Sequence, residues 1–269
     1  MLYKINHAYY LGLISIGFLL ALAVLSGCQK DNLDTVPTFV PRDLWLSEYR
    51  EDGDVVLEFI YEEDTLLKRQ KQLFPQGLVD FEMQYNNFNY KPSAMTAHLN
   101  SRSFQNYFNY NSEGTMIGYT FFIDTYISYV VRLYFNAQGF IYKLQRFRPL
   151  DHELSTRIFE WKDGNVVRIE DSSNFVDPDN PSIIEFVYDQ KKNPFNTMFE
   201  VFGFNVIEHM PLTKNNPLEI KTYRKKTPNK YSLVRTKYAY NRDGYPFVKE
   251  SKIKDRLGNE RSIYAEYIY

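Results

Sequence analysis

A repeat of about 26 residues is the feature that most constrains the fold of this chain. An aromatic residue followed by a turn-forming Asn, Asp or Gly segment recurs from residue 61 to residue 244, and degenerate copies fill the gaps. The key positions of the copies are Tyr61, Tyr85, Tyr110, Phe135, Trp161, Tyr188, Lys214 and Tyr240. Glycine closes the turn at Gly114, Gly139, Gly164 and Gly244. Such regular spacing indicates that one supersecondary unit is repeated along the chain.

The residues before each key position alternate in the manner of a β-strand. One position upstream of each key residue, polar and apolar side chains both occur. Two positions upstream, all eight side chains are apolar or aromatic. These eight are Phe59, Met83, Phe108, Leu133, Phe159, Phe186, Leu212 and Tyr238. Period-two alternation is typical of a strand with one buried face, and Asn, Asp and Gly suit the positive φ of a tight hairpin turn. Each repeat therefore predicts a β-hairpin.

Eight hairpins predict about sixteen antiparallel strands that follow one another in sequence order. An aromatic share of 17% suits strands. We predict that residues 44–269 form one all-β repeat domain, a long antiparallel meander of about eight hairpin repeats. A twisted sheet seldom stays open beyond about ten strands. We therefore expect strong curvature, either into a wide barrel, closed or incomplete, or into two packed layers.

The first 28 residues have the layout of a secretory signal. Lys4 is followed by an uncharged run from Leu11 to Leu25, which is shorter than the roughly 20 residues that span a bilayer as a helix. The segment Leu25-Ser26-Gly27-Cys28 resembles the lipobox of bacterial lipoproteins, whose cysteine is lipidated and becomes the mature N-terminus. The resemblance implies a signal peptide over residues 1–27, lipidation of Cys28, and a tether over residues 28–43. Cys28 is the single cysteine, so no intramolecular disulfide can form.

The hairpin motifs resemble YD/RHS-type repeats, and more closely those of surface lipoproteins of unknown function from Bacteroidota. The resemblance rests on the segments Asn215–Ile220 and Tyr238–Gly244, and on the charged tract that follows Cys28. It implies an outer-membrane lipoprotein, periplasmic or surface-exposed, held to the membrane through its lipid. Because the shared motifs are structural, the resemblance implies no catalytic residue.

Motifs for catalysis and metal binding are incomplete. His152-Glu153 begins a zinc-binding His-Glu-x-x-His motif, but Thr156 occupies the position of the second histidine. The segment Asp177–Asn180 lacks the further spaced ligands of a calcium loop. We therefore predict no metal, no cofactor and no catalytic residue. The net charge of -1 creates no overall field that would hold nucleic acid.

Tyr134 and Arg132 are the candidate ligand-binding residues. Both are predicted on the outer face of one hairpin, where an aromatic ring and a guanidinium group can stack on a planar or sugar ligand. The favoured hypothesis is a non-catalytic, lipid-anchored module that binds an extracellular glycan or a partner protein. Two alternatives stay open: a hydrolase of polysaccharide or peptidoglycan whose acids only the fold brings together, and a structural envelope component.

Overall fold

The computed structural model describes residues 45–62, 66–74, 77–85, 91–99, 102–149, 152–173, 177, 179–195 and 213–269. The chain separates into two units, Met1–Phe39 and Val40–Tyr269, and every described residue belongs to the second unit. The leader, Cys28 and the tether lie outside the described residues. The lipidation of Cys28 and the domain bounds at residues 27 and 43 therefore stay predictions.

The described residues of the second unit form sixteen strands. They are β1 (Glu48–Glu51), β2 (Asp54–Glu62), β3 (Leu66–Phe74), β4 (Gly77–Tyr85), β5 (Pro92–Leu99), β6 (Arg102–Tyr110), β7 (Met116–Ile123), β8 (Tyr126–Phe135), β9 (Ile141–Arg148), β10 (His152–Lys162), β11 (Asn165–Ser173), β12 (Ser182–Lys192), β13 (Asn215–Arg224), β14 (Thr227–Tyr240), β15 (Pro246–Lys254) and β16 (Glu260–Ile268). Each strand pairs antiparallel with its neighbours in sequence, and β1 pairs with β16 to close the barrel. The predicted all-β meander is confirmed, and its closure is complete.

The two faces of the wall follow from the strand registers, because cross-strand partners point to the same side and successive residues point to opposite sides. Phe59, Leu133 and Tyr267 are buried in one hydrophobic cluster with residues of β1–β4, β7–β9 and β16. A closed barrel encloses only one of its faces. This aromatic and aliphatic face is therefore the lumenal face.

The outer face carries ion pairs between neighbouring strands. The Lys71 ammonium lies 2.7 Å from the Glu58 carboxylate, and the Arg235 guanidinium lies 3.0 Å from the Glu219 carboxylate. Both pairs join directly opposed residues near the middle of their strands. The hydrophobic cluster thus lines the lumen, and ion pairs lie on the outer face.

Four turns share one geometry that explains the turn signal of the repeat. The Asn111 carboxamide oxygen accepts hydrogen bonds from the backbone N–H of Glu113 at 3.1 Å and of Thr115 at 2.8 Å. Gly114 completes the turn with φ of 74°, a conformation that glycine adopts without steric cost. The same pattern of acceptor and glycine recurs at Asn136 with Gly139, Asn241 with Gly244, and Asp255 with Gly258.

The predicted copy at Lys214 differs from the others. Lys214 ends the connection between β12 and β13, directly before β13 begins, and so does not end a strand. The distance from Tyr188 to Tyr240 equals two repeat lengths, but the connection between β12 and β13 occupies much of it, and the described residues of this span hold one hairpin, β13–β14. The eighth key position is Tyr269, directly after β16.

Candidate functional site

The key aromatic residues form a ring of hydrogen bonds at one end of the barrel. We call this the proximal end, where the described chain begins at Trp45 and finishes at Tyr269, and the other the distal end. The Tyr85 hydroxyl donates to the Leu67 carbonyl at 2.8 Å, one strand back along the wall. Equivalent bonds join Tyr61 to Leu46, Tyr110 to Pro92, Trp161 to Ile141, Tyr188 to Val166 and Tyr269 to Pro246, at 2.7–2.8 Å. These six donors, together with Phe135 and Tyr240, which occupy the two remaining positions of the ring, are here named the aromatic ladder.

A β-bulge at each proximal hairpin explains why carbonyl groups are available to the ladder. The register shifts between Gln84 and Tyr85, so that Tyr85 faces Pro92 and Ser93 is left between two pairs. The same shift occurs at the six other proximal hairpins. An extra residue in one strand disrupts the regular pairing locally. The ladder hydroxyls satisfy backbone acceptors that would otherwise lie buried and unpaired.

Two ladder positions depart from the pattern. Phe135 has no hydroxyl and contributes only its ring to the core. The Tyr240 hydroxyl donates to the Asp189 carboxylate, and Tyr238 instead bonds the Pro217 carbonyl at 3.2 Å. Burial raises the pKa of Tyr110 to about 12 and raises the pKa of the other ladder tyrosines above their ordinary value. These hydroxyls are neutral hydrogen-bond donors within the wall rather than groups presented to a ligand.

A half-buried lysine lies on the lumenal face beside the closing strands. The Lys249 ammonium lies 3.7 Å from the Glu51 carboxylate and 4.8 Å from the centre of the Tyr49 ring. The Tyr49 hydroxyl also donates to Glu51, at 2.5 Å. Ala265 separates the two charged residues in the register, and its small side chain leaves room for their contact. Burial lowers the pKa of Lys249. The pair ties β15 to β1 across β16.

The base of the long connection between β12 and β13 is held by asparagine side chains. Asn193 donates to the Thr213 hydroxyl at 3.2 Å, and Asn165 and Asn215 exchange two hydrogen bonds of 2.9 Å. Phe195 then packs on Tyr49 and Tyr267 with ring centres 6.1 and 6.2 Å apart. The Asn-Asn-Pro motif, read in the sequence as a turn, is therefore the anchor of this connection and the beginning of β13.

The distal half of the lumenal face carries a row of stacked planar groups that the sequence analysis did not single out. Phe104 and Phe121 stack at 6.2 Å between ring centres, and Phe121 and Tyr129 at 4.8 Å. The Arg146 guanidinium continues the row, 4.7 Å from the Tyr129 ring. We call these four residues the distal row. They are half-buried, whereas lumenal residues nearer the proximal end are mostly buried. The only signal in the sequence is the alternation of their strands, which does not say which end of the lumen stays accessible.

Beside the distal row, the lumenal face carries an ion pair. The Arg157 guanidinium lies 2.8 Å from the Asp171 carboxylate, and about a quarter of each side chain is exposed. Side chains alone fill barrels of about eight strands, whereas barrels of sixteen are wide enough for a channel. Aromatic rings, guanidinium groups and a carboxylate in such a lumen can bind a polar ligand that has apolar surfaces.

Acid–base hydrolysis of a glycoside needs two carboxyl groups about 5–10 Å apart. Asp171 pairs with Ser182 at the distal end of β12, and Asp189 lies seven residues further along β12. At 3.3 Å per residue the two acids are separated by about 23 Å. Each is also engaged by a different partner, Arg157 or Tyr240. Asp171 and Asp189 therefore do not form a hydrolytic pair.

Within the described ranges, no group of three His, Cys, Asp or Glu side chains is placed to hold a metal ion. The described part of the chain also has no helix that is long and apolar enough to cross a membrane.

Tyr134 and Arg132 lie on the outer face of β8, as their alternation with buried Leu133 requires. The Lys143 ammonium lies 4.8 Å from the centre of the Tyr134 ring, and the Arg132 guanidinium lies 4.5 Å from the centre of the Phe147 ring. Both residues therefore belong to cation–π pairs between β8 and β9. Their role in ligand binding stays a prediction.

No protein-family model and no curated protein matches the chain. Among solved structures, the chain is similar to a porin-like protein from Bacteroides uniformis, with a TM-score of 0.53 and 10% identity over 82% of this chain and 95% of that one. A porin-like protein from Bacteroides vulgatus matches with a TM-score of 0.35 and 10% identity over 84% of this chain and 98% of that one, a likeness too low to support an argument. At this identity the first match shows the fold alone. The similarity to the B. uniformis protein therefore concerns the all-β barrel fold of this chain.

Proposed function

We propose that this chain is an envelope lipoprotein whose barrel stands in water and binds a ligand in its lumen, instead of spanning the membrane as a pore. The observation that carries the proposal is the polarity of the two faces. A transmembrane β-barrel has an apolar outer band about 25 Å tall and a polar interior. Here the outer face carries ion pairs such as Glu58–Lys71, and the lumenal face carries Phe59, Leu133 and Tyr267.

The energetic cost of placing this outer face in lipid supports the proposal that the barrel does not span the membrane. Lys71, Arg69 and Arg235 all lie near the middle of their strands, at the depth of the bilayer centre if the barrel spanned it. Each basic residue facing lipid there costs about 2–4 kcal/mol. Three of them cost roughly as much as the whole stability of a typical domain, about 5–15 kcal/mol.

An anchor at Cys28 supports an envelope location for a barrel of this kind. Cys28 completes the lipobox, and several acyl chains on one cysteine hold a protein to a membrane far more firmly than a single chain does. The tether joins the barrel at its proximal end, where Trp45 begins the described chain. The similarity of fold to a porin-like protein from a Bacteroides species agrees with an outer-membrane association.

The first experiment tests location and the absence of a pore. Cells that express the full chain are labelled with a fatty-acid analogue, and Cys28→Ala is the matched variant. We expect label on the wild-type chain only, and release of the variant from the membrane fraction after a high-salt wash, which weakens attraction to lipid headgroups but leaves a lipid anchor in place. The unlipidated mature protein should stay in solution without detergent and cause no efflux of small solutes from vesicles. Stepwise conductance in a planar bilayer would instead establish a membrane-spanning pore.

The second experiment tests binding. The unlipidated protein is incubated with immobilised polysaccharides and peptidoglycan fragments, and both retention and product release are followed. We expect retention without turnover, weakened by Tyr129→Ser in the lumen and unchanged by Tyr134→Ser on the outer face. The reverse pattern would assign binding to the outer pair Tyr134 and Arg132. Turnover that is lost on replacing a single acid would overthrow the binding proposal and favour a hydrolase.

A further inference from the structure

One side of the outer face differs from the rest of the wall. The five strands β5 to β9 contain no acidic residue, whereas β1–β4 and β10–β16 carry the ion pairs of the outer face. Large apolar side chains are exposed on the outer face of the same strands. They are Tyr107, Ile117, Ile127 and Tyr142. We call the outer face of β5–β9 the aromatic side.

Near the distal end, outer residues of three neighbouring strands of the aromatic side lie next to one another. Tyr107 meets Phe122 edge-on at 5.4 Å, and Phe122 pairs with Ile127 in the next strand. The outward charges of the same surface are cationic, Arg132 and Lys143, each held over a neighbouring ring. The bulges increase the exposure, because each turns its extra residue outward; Ile117 and Tyr142 occupy these positions and are 42% and 41% exposed.

We infer that the aromatic side is a docking surface for the headgroup region of an anionic membrane. Tyrosine rings with a few basic residues are the composition that settles at a membrane–water interface, where the rings enter the headgroups and the cations meet lipid phosphates. The wall of a barrel is convex and offers no groove, so it suits a deformable lipid surface better than a rigid partner. Acidic side chains, which an anionic leaflet repels, are absent from these five strands.

The inference goes beyond the proposed anchor but is compatible with it. The residues between Cys28 and Trp45 extend by at most about 3.4 Å each, so the tether is long enough for the barrel to lie on its side. Lipid on Cys28 then keeps the barrel near the membrane, and the aromatic side orients it. The mature chain has a net charge of -2, from 31 basic and 33 acidic residues after Lys4 is removed with the leader. Attraction to an anionic surface therefore has to come from a local patch.

Vesicle co-sedimentation of the unlipidated mature chain, carrying Cys28→Ala, tests the inference independently of lipidation. We expect binding to vesicles that contain phosphatidylglycerol, much weaker binding to phosphatidylcholine alone, and loss of the difference at high salt. Each basic residue near an anionic leaflet contributes roughly fivefold to partitioning. The double variant Arg132→Gln, Lys143→Gln should therefore bind about 25-fold less.

A matched control removes the same charge from the opposite side of the barrel. Lys237 and Lys252 are exposed outer residues of β14 and β15, about eight strands away from β7. Lys237→Gln with Lys252→Gln should change vesicle binding less than twofold, while Tyr142→Ser should weaken binding to both vesicle types. Equal losses from the two charge pairs, or equal binding to both vesicle types, would overturn the inference. Retention on an anionic polysaccharide without vesicle binding would overturn it as well.

Discussion

Tyr85→Phe removes one hydroxyl of the aromatic ladder and leaves the ring in place. The hydroxyl donates to the carbonyl of Leu67, a residue that is 2% exposed. Because water cannot replace the donor there, the variant loses the hydrogen bond and leaves a buried acceptor unsatisfied. The expected loss is about 1–3 kcal/mol of unfolding free energy. Phe135 shows that the wall accommodates a phenyl ring at an equivalent position.

Urea unfolding, followed by the fluorescence of Trp45 and Trp161, measures the loss. Both tryptophans belong to the barrel, and Trp161 is itself a ladder residue. The urea concentration at the midpoint of unfolding should fall. The slope of the unfolding free energy against urea concentration should stay constant, because the variant changes stability and not the surface exposed on unfolding. Tyr107→Phe is the matched control: its hydroxyl donates to Gln105 on the outer face, and its side chain is 45% exposed. The control should lose less than about 0.5 kcal/mol.

The double variant Tyr85→Phe, Tyr188→Phe tests whether the ladder is a set of independent local bonds. The two hydroxyls donate to carbonyls of different hairpins, Leu67 and Val166, on strands well separated around the wall. The losses of unfolding free energy caused by substitutions at distant sites usually add within about 0.5 kcal/mol. A loss at Tyr85 no larger than at Tyr107 would refute the structural role of the ladder. A strongly non-additive double variant would show that it acts as a single unit.

Three further outcomes follow from described contacts. Burial raises the pKa of the ladder tyrosines, so above about pH 10 the unfolded chain releases phenolic protons that the folded chain retains. The contribution of these tyrosines to the free energy of unfolding should therefore be complete below that pH and fall above it. In a pH titration, phenolate absorbance should rise together with unfolding. Lys249→Met leaves Glu51 without its cation and should destabilise the barrel by roughly 1–3 kcal/mol, and adding Glu51→Gln should recover part of the loss in the same urea assay. Gly118→Ala places a methyl group 2.2 Å from the Val131 carbonyl oxygen, so it should lower the thermal midpoint far more than Gly139→Ala, where nothing lies within 4 Å of the new atom and only the positive φ is strained.

The strands and their order could be predicted because hairpin turns and period-two alternation are local properties of the sequence. Phe59, Phe108 and Leu133 were expected to share one buried face, and all three belong to the hydrophobic core or pack against it. The copy at Lys214 was placed by spacing alone, and spacing does not distinguish a hairpin from a long connection of similar length. Tyr267-x-Tyr269 carries the same aromatic pair as Tyr238-x-Tyr240.

The distal row could not be predicted from the sequence, because its contacts depend on the register in which neighbouring strands pair. The distal row joins Phe104, Phe121, Tyr129 and Arg146, which lie on four successive strands and meet only through the register of each pairing. Closure was equally undetermined, since the same hairpins can curl into a barrel or fold into two layers. The pairing of β1 with β16 places Tyr49 opposite Tyr267, and no local sequence pattern links residues so far apart.

Closure also sets the order in which this chain can reach its native state. The Ser47 hydroxyl donates to the Ile268 carbonyl at 2.8 Å across 221 residues of sequence, and β1 has only four residues with which to hold its partner. Each hairpin forms from neighbouring segments, whereas this last pairing must overcome the entropy of closing nearly the whole chain into a loop. A chain that ends before β16 keeps two unpaired strand edges, which are templates for association with other chains. Assembly is therefore completed from the C-terminus, and any chaperone that protects the unfinished protein has to cover β1 until β16 arrives.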